Sequence, residues 1–293
     1  MLKKCLVLVL GLCLFVGVSS ICFASKHKHS PKPGILLVAF GTSYPDGKRA
    51  YSFFEKEVKK AFPGIEVRWA YTSSIIRHKL AKEGKNIPSP VKALAQMMSD
   101  GFTHVAVQSL HTIPGEEYEY LEQVVEGFSV MPKGFTKIVL GTPLLYSVHD
   151  IPKVADALLK NLPSLKKGWG IALMGHGTEH RANSYYAALQ YALWLKNKKV
   201  FLGTVEGWPT IREVKQELKQ HKIKDVYLMP FMSVAGDHAH NDLAGDESDS
   251  WKGILSKAGF KCHPILKGTG EMKEIVEIWI EHLKHAYAKL GLK

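Results

Sequence analysis

Two stretches of the sequence decide the fold: ILLVAFGT at residues 35–42 and IALMGHGT at residues 171–178. In each of them an apolar run leads into a Gly-Thr pair, and a helical pattern follows. A parallel strand that is buried on both faces has such a run, and a glycine after it permits the tight turn into a helix. The two stretches therefore predict two similar halves that each begin with a buried strand.

Short apolar runs alternate with helical patterns throughout both halves, which is typical of a parallel α/β fold. The predicted strands are Ile35–Phe40, Ile65–Tyr71, His104–Leu110 and Lys137–Leu140, followed by Gly170–Met174, Lys199–Thr204, Asp225–Phe231 and Cys262–Leu266. The third strands align without a gap, which sets Gly115 on Gly236 and Glu117 on His238. We predict two similar Rossmann-like domains, each a four-stranded parallel sheet flanked by helices, with the active cleft between them. A coincidence of common α/β patterns is the alternative.

The composition is that of a globular protein with a large core: 46% of the 293 residues are hydrophobic, 10% aromatic and 23% charged. These values exclude a disordered chain, a collagen and a disulfide-rich miniprotein. The formal charge is +12, and a solvated basic surface is the ordinary explanation. Because no nucleic-acid motif or arginine cluster occurs, the surplus favours an acidic small molecule over DNA or RNA as the partner.

The N-terminus is predicted to be a secretory signal peptide of residues 1–24. Lys3 and Lys4 precede an uncharged apolar run at residues 5–18, and Ala24 stands where a small residue precedes a cut. The run is short for a membrane span, which needs about 20 residues, although an uncleaved anchor is the alternative. We therefore expect a periplasmic protein with no stable membrane anchor after cleavage. The remaining divisions are a flexible basic tail at 25–33, an N-terminal half at 34–165 and a C-terminal half at 166–293.

Cleavage changes the cysteine count of the chain. Three of the four cysteines lie within the predicted signal peptide, so Cys262 alone remains in the mature sequence. An internal disulfide is excluded for that sequence, and the fold must depend on its apolar core.

Three polar residues follow successive strands of the second half: His176, Glu206 and His238. Because the carboxyl ends of parallel strands meet at one edge of a sheet, we expect the three to converge there. Two imidazoles and a carboxylate suit a borderline divalent ion such as cobalt, ferrous iron, nickel or zinc. A histidine bonded to its own loop and a carboxylate at a helix start are the structural alternatives for His176 and Glu206.

The equivalent positions in the first half are Phe40, Ser73 and Glu117, so the predicted site is asymmetric. A hydrolytic zinc site could use the same set of ligands. A common metalloprotease is disfavoured, because the sequence lacks His-Glu-x-x-His and the three residues lie on separate loops.

Four motifs resemble one family across residues 33–291: LVAFGTS at 37–43, MGHGTEH at 174–180, GTVEGWP at 203–209 and AGDHAHND at 235–242. The family is the CbiK-type anaerobic cobaltochelatases, class II chelatases of the two-domain, ferrochelatase-like fold. These enzymes insert Co²⁺ into sirohydrochlorin on the route to cobalamin. The resemblance implies that His176, Glu206 and His238 bind the metal and catalyse its insertion. The export signal is a departure, since such enzymes usually work in the cytoplasm.

The implied activity is that of a lyase-type tetrapyrrole chelatase with Co²⁺ as the substrate metal and Fe²⁺ as a second candidate. Sirohydrochlorin is an acidic macrocycle, which fits a basic cleft with aromatic walls. The candidate wall residues are Phe40, Tyr44, Tyr71, Trp208 and Phe231. Aromatic residues near strand ends also commonly belong to the core, so each has that second interpretation.

Export suggests a second tetrapyrrole role, because an exported chelatase would meet haem and iron traffic. His78, His104 and His111 are the candidate axial ligands for haem, and a haem shared between subunits would favour a homo-oligomer. A surface or hydrogen-bonded histidine is the alternative for each. Two other functions stay open for the whole chain: a non-enzymatic periplasmic carrier of haem or metal, and an exported metallohydrolase.

Overall fold

The structure is a computed structural model that describes residues 30–292. Its strands are β1 (Pro33–Ala39), β2 (Glu66–Tyr71), β3 (His104–Ser109), β4 (Lys137–Gly141), β5 (Trp169–Gly175), β6 (Val200–Thr204), β7 (Asp225–Pro230) and β8 (Lys261–Pro264). All pair in parallel, and they form two four-stranded sheets ordered β2-β1-β3-β4 and β6-β5-β7-β8. The repeated order confirms the predicted pair of α/β halves, and each predicted strand is present.

Helices flank both sheets. They are α1 (Pro45–Ala61), α2 (Ser74–Lys82), α3 (Pro90–Ser99), α4 (Glu116–Ser129), α5 (Asp150–Asn161), α6 (Ser184–Lys196), α7 (Ile211–Gln220), α8 (Trp251–Lys257) and α9 (Lys273–Ala288). Short helical turns at Arg181–Asn183, Ala239–Leu243 and Thr269–Glu271 complete the described chain. None of the helices within residues 30–292 has the length and apolar character needed to cross a bilayer.

The central strands β1 and β5 are buried on both faces, which is why their sequences read as continuous apolar runs. Successive side chains of a strand point to opposite faces. Ile35 and Leu37 accordingly enter one core, and Leu36 and Val38 enter another beneath α3 and α4. The two faces of the first sheet thus belong to separate apolar layers.

A single apolar layer connects the two halves. It contains Ile35 and Leu37 from β1 together with Ile171 and Leu173 from β5. Helices α1, α5, α6 and α9 also contribute side chains to this shared core. The halves are therefore joined by a continuous interior and form one compact unit from Pro31 onward.

The last helix of the chain packs against the first sheet. Helix α9 contacts β3, β4 and α1, and the ring of Trp279 meets that of Phe54 at 5.9 Å in an edge-on arrangement. The chain thus returns to its first half after completing the second sheet. The division between residues 165 and 166 stays a prediction, and α9, which follows the second sheet in sequence, packs against elements of the first half.

The predicted signal peptide lies outside the described residues, as does most of the predicted basic tail. The end of that tail is held against the first sheet, because the Lys32 amide donates to Thr103 Oγ1 at 2.8 Å and its ammonium donates to the Asp100 carbonyl at 2.7 Å. Strand β1 begins at the next residue.

A buried polar link joins α5 to α9 inside the shared interior. Asp150 Oδ1 lies 3.2 Å from His282 Nε2, and both side chains are almost fully buried. The other oxygen, Oδ2, accepts from the amides of Tyr146 and Ser147 and from the Ser147 hydroxyl. Burial acts to raise the pKa of Asp150, but the bonds from His282 and Ser147 outweigh it and lower that pKa to about 2.

We predict that Asp150→Ala lowers the free energy of unfolding by about 3 kcal/mol, because it leaves His282 and two backbone amides without their acceptor in a buried place. Urea unfolding followed by circular dichroism measures the change. Asp156→Ala is the matched control on the same helix, since Asp156 is half exposed and pairs with Lys196. Its effect should stay below about 1 kcal/mol.

The same bond network gives a pH dependence. The folded pKa of Asp150 is below its unfolded value, so its stabilising contribution is complete above about pH 4 and is lost as the pH falls towards 2. The stability difference between the wild type and Asp150→Ala should shrink across that interval. A difference that stayed constant from pH 5 to about 2 would contradict the assignment.

Candidate metal site

His176 and Glu206 are brought together by two neighbouring strands. Strands β5 and β6 are paired in parallel, so the residues that follow them stand side by side at the carboxyl edge of the second sheet. The Glu206 amide donates to the His176 carbonyl at 2.8 Å, and Glu206 Oε2 lies 3.6 Å from His176 Nδ1. The two loops are therefore bonded through their backbones as well as adjacent in their side chains.

Gly177 permits this close approach of the loops. Its φ is +82°, a conformation that favours glycine, and a Cβ there would lie 2.5 Å from the Gly207 amide nitrogen. A side chain at position 177 would push the loop that carries Glu206 away from His176. The glycine of the second Gly-Thr pair is thus a requirement of the site.

His238 completes the group from the loop after β7. Its ring centroid lies 4.6 Å from that of His176, with the ring planes at 89°. One ligand atom from each of His176, Glu206 and His238 lies within 4.8 Å of the others, a spacing suited to a shared metal ion. The convergence expected from the sequence is thus present in the structure. All three side chains are partly exposed, so an ion can enter from solvent.

Hydrogen bonds orient both imidazoles through the same nitrogen. His176 Nδ1 lies 2.9 Å from the Gly177 carbonyl oxygen, and His238 Nδ1 lies 2.6 Å from Asp242 Oδ2. A carbonyl or carboxylate oxygen only accepts, so each Nδ1 carries the proton. The Nε2 lone pair of each ring is then left to bind an ion.

Asp242 belongs to the surroundings of the candidate site but was not among the residues predicted from the sequence. It is four residues beyond His238, across the short helical turn at Ala239–Leu243, which brings its carboxylate to the ring. The His-x-x-x-Asp spacing was the available signal. His240, the neighbouring histidine, instead stacks on Tyr44 with ring centroids 4.7 Å apart.

Glu206 is not the helix cap of the segment that follows it. Helix α7 is capped by Thr210 and Glu213, whose side chains and backbones bond reciprocally. These bonds lower the pKa of Glu213 to about 2. Glu206 therefore has no capping role at α7.

Tyr44 connects the first half to residues 235–242, the segment after β7 that carries His238 and is called the metal-site loop below. Its hydroxyl donates to Asp237 Oδ1 at 2.9 Å, and its ring lies almost parallel to that of His240. The bond to Asp237, assisted by burial, raises the pKa of the Tyr44 phenol. The residues on either side of His238 are thereby tied to the other half of the molecule.

The other aromatic wall candidates divide by exposure. Phe40 is 44% exposed and Trp208 is 58% exposed, so both present apolar surface at the carboxyl edges of their sheets. Tyr71 and Phe231 are buried in the shared core, and Tyr71 packs against the backbone of Gly41. Those two rings offer no surface to a ligand in this conformation.

The histidines predicted as haem ligands all lie in the first half. His78 is exposed on α2, and His104 stands half-buried at the start of β3, away from the carboxyl edge. His111 Nδ1 lies 2.8 Å from the Ser109 hydroxyl, and burial lowers the pKa of His111 to about 4. The structure brings none of the three into the group of His176, Glu206 and His238.

Solved structures share this architecture at low sequence identity. The chain matches the sirohydrochlorin chelatase SirB from Bacillus subtilis subspecies spizizenii, solved in complex with cobalt, with a TM-score of 0.59 at 13% identity. It matches SirB from Bacillus subtilis, solved with Fe3+, with a TM-score of 0.58 at 14% identity. Each match covers 88% of this chain and 96% of the other. At these identities the likeness shows the fold.

Sequence comparison shows the family. The chain is 42% identical over 266 residues to the sirohydrochlorin cobaltochelatase CbiKC of Nitratidesulfovibrio vulgaris (strain Hildenborough), covering 90% of this chain and 94% of that protein. It is 36% identical over 257 residues to the sirohydrochlorin cobaltochelatase of Salmonella typhimurium, covering 87% and 96%. A sequence model of the cobalt chelatase (CbiK) family matches residues 33–288. These matches span nearly all of the described chain, which therefore belongs to the CbiK cobalt chelatase family.

Proposed function

We propose that this protein is a tetrapyrrole chelatase that inserts Co²⁺ into sirohydrochlorin. The observation that carries the proposal is the group of His176, Glu206 and His238 at the carboxyl edge of the second sheet. Family membership supports the same substrate and metal, since both relatives are named sirohydrochlorin cobaltochelatases. Imidazole and carboxylate ligands do not separate Co²⁺ sharply from Fe²⁺, so Fe²⁺ is proposed as a second substrate metal.

The two imidazoles hold the incoming ion. Their Nε2 atoms are left to bind it, because both Nδ1 atoms are engaged by hydrogen bonds. Neutral imidazole binds borderline divalent ions without the very tight hold that thiolates provide. The ion can therefore exchange its water for the protein ligands and then leave them for the macrocycle.

Glu206 supplies the acid–base function. Insertion of a divalent ion releases two pyrrole protons. The Glu206 carboxylate can balance the charge of the incoming ion and then accept one proton as the ion passes to the macrocycle, while the other proton passes to solvent at this open site. The Glu206 side chain is more than half exposed and lies beside His176 Nδ1, and its backbone amide is bonded to the His176 carbonyl, so its carboxylate can move between the ion and the macrocycle.

The macrocycle would lie against the aromatic surface near the ligands. Phe40 and Trp208 present apolar surface, one from each half, and Tyr44 stands beside the loop of His238. Flat apolar rings suit the face of a tetrapyrrole. The cleft would then hold the macrocycle with one face towards the Nε2 atoms of His176 and His238.

A non-enzymatic carrier of metal or haem is the competing function for the same geometry. It would bind its cargo at this site without releasing a metallated product. A hydrolytic zinc enzyme is a weaker alternative, because the sequence has no activating motif beside the ligands, such as His-Glu-x-x-His. Turnover distinguishes the three.

We also propose, from the sequence, that the protein binds haem and forms a homo-oligomer. Among the three candidate ligands, His78 is the most accessible to a haem between subunits, because it is exposed on the outer turn of α2. The half-buried His104 and His111 are already bonded to Thr103 and Ser109. His78 is therefore the candidate we favour.

We predict that the purified protein metallates sirohydrochlorin with Co²⁺ under anaerobic conditions at a rate proportional to enzyme, and that Fe²⁺ is also accepted. His176→Ala, Glu206→Ala and His238→Ala should each lower turnover about 100-fold or more, since each removes a ligand or the base. Absorption spectroscopy follows the conversion. Circular dichroism should show folded variants, because all three side chains are partly exposed at the edge of the second sheet and lie outside the core.

The outcomes separate the candidate functions. A wild type that binds Co²⁺ yet never exceeds the spontaneous rate would replace the chelatase with the carrier. Ester or peptide cleavage by a zinc-loaded protein would support the hydrolase. Wild-type turnover in all three alanine variants would mean that the site lies elsewhere.

We predict that Asp242→Ala weakens the binding of Co²⁺ to the protein about 10- to 100-fold, because the His238 ring loses the acceptor that orients it. Asp242→Asn should lose less, since its amide oxygen still accepts the Nδ1 proton. His240→Ala should retain turnover better than the ligand variants. Titration with Co²⁺, read from its visible absorption bands, measures the affinity.

Asp246→Ala is the matched control for Asp242→Ala. Asp246 follows on the same loop, but its side chain is 94% exposed and bonds to Lys252. It should bind Co²⁺ as the wild type does. Equal affinities for Asp242→Ala and Asp246→Ala would remove the role assigned to Asp242.

We propose that the protein is exported to the periplasm and cleaved after Ala24, on the evidence of the charged start and apolar run of residues 1–18. Expression in a Gram-negative host should yield a periplasmic form that begins at Ser25. The intact mass of that form checks the cleavage. A full-length chain in the cytoplasm would defeat the proposal.

A further inference from the structure

Three lysines lie near Glu83 on the first half, and one of them contacts Tyr44. The Lys79 ammonium lies 5.6 Å from the centroid of the Tyr44 ring, on helix α2. Lys48 belongs to the first turn of α1, and Lys85 follows α2. All three side chains are exposed. None of the three belongs to the group of His176, Glu206 and His238, so we consider a separate role for them.

The segment that carries two of these lysines is held at the carboxyl edge of the first sheet. Residues 73–88 leave the sheet at the end of β2 and return to the same place. The Ser73 amide donates to the Phe40 carbonyl at 3.1 Å, and the Tyr71 amide donates to the Pro88 carbonyl at 3.0 Å. The segment therefore forms a shelf at the side of the cleft.

Two of the positive charges are close enough to oppose each other. The neighbouring Lys85 ammonium lowers the pKa of Lys48, because it can donate a hydrogen bond only to an uncharged Lys48 amine and because the two positive charges repel each other. Glu83 offsets part of the charge, with its carboxylate 2.6 Å from Lys85 Nζ. Lysine ammonium groups packed together on an open surface provide a favourable place for a further anion.

Exposed apolar side chains lie beside the lysines. Ile75, in the first turn of α2, is 76% exposed, and Phe40 is 44% exposed at the end of β1. The backbone bond between Ser73 and Phe40 keeps these two side chains on the same edge. The surface formed by the shelf and its neighbours Phe40 and Lys48 thus combines exposed apolar side chains with positively charged groups.

This combination matches the shape and charge of one kind of ligand. A carboxylated tetrapyrrole is a flat disc with apolar faces and a negatively charged edge. Its face suits Phe40 and Ile75, and its edge suits the lysines. The Tyr44 contacts with Asp237 and His240 connect the shelf directly to the metal-site loop.

We propose that Lys48, Lys79 and Lys85 form a carboxylate-binding rim that holds the peripheral acid groups of the tetrapyrrole. The proposal rests on the proposed chelatase function and specifies how the site selects its organic substrate. The rim binds the macrocycle's edge, while the second half binds the metal. The peripheral acid groups of the macrocycle and the metal are thus recognised by different halves of the protein.

The test compares the wild type with the combined variant Lys48→Ala, Lys79→Ala and Lys85→Ala. The probe is metal-free sirohydrochlorin, and its binding is followed by quenching of tryptophan fluorescence. We expect the Kd to rise about tenfold for the variant, since three exposed charge contacts are lost. Raising the salt concentration should weaken binding by the wild type more than by the variant. The affinity for Co²⁺ alone should not change.

The matched control replaces three lysines at the opposite edge of the second sheet: Lys167→Ala, Lys199→Ala and Lys224→Ala. These residues are exposed near the starts of β5, β6 and β7, so the control removes the same charge away from the cleft. It should bind sirohydrochlorin as the wild type does.

Each other outcome is decisive. If the rim variant binds sirohydrochlorin as tightly as the wild type, the rim is wrong, while turnover by the wild type would leave the chelatase function intact. If the control lost as much affinity for sirohydrochlorin as the rim variant, the loss would come from the lower net charge of the protein, and the proposed rim would be wrong. A wild type without affinity for sirohydrochlorin would overturn the proposed function and the rim together.

Discussion

The apolar layer shared by the two sheets is the constraint on which the rest of the structure depends. Alternate side chains of β1 and β5 enter this one interior, so neither central strand can turn or slide without disturbing the other half. The layer holds the carboxyl edges of both sheets at fixed positions. A loop such as the one carrying Tyr44 can therefore bond across to Asp237, and small differences between loops become differences in chemistry.

The two halves repeat one backbone arrangement but differ in the side chains at its carboxyl edge. At the end of the first strand, one half has Phe40 and the other His176; after the third strand, Glu117 corresponds to His238. The second half provides every member of the metal group, and the first half provides aromatic and positively charged surface. The repeated sheet thus offers two equivalent edges, which carry side chains of different chemistry.

Much of this could be predicted from the sequence, because its signals are local. Buried parallel strands are continuous apolar runs, and residues after neighbouring strands must meet, which placed His176, Glu206 and His238 together. The hydrogen bond that His238 donates to Asp242 could not be predicted without knowing that the residues between them form a helical turn. Contacts between distant segments gave no local signal. Tyr71 and Phe231 illustrate the same limit, since an aromatic residue at a strand end looks alike whether it faces a cleft or the core.

The return of α9 to the first sheet has a consequence for how the chain is made. Strands β3 and β4 receive one of their covering helices, α9, from residues that are synthesised after both sheets. The first half cannot complete its interior when its own four strands have been made, because its final packing must await the synthesis of α9. A shortened protein lacking α9 would expose the apolar surface around Trp279's partner Phe54. The half whose strands are synthesised first is thus completed by a helix that follows the second sheet.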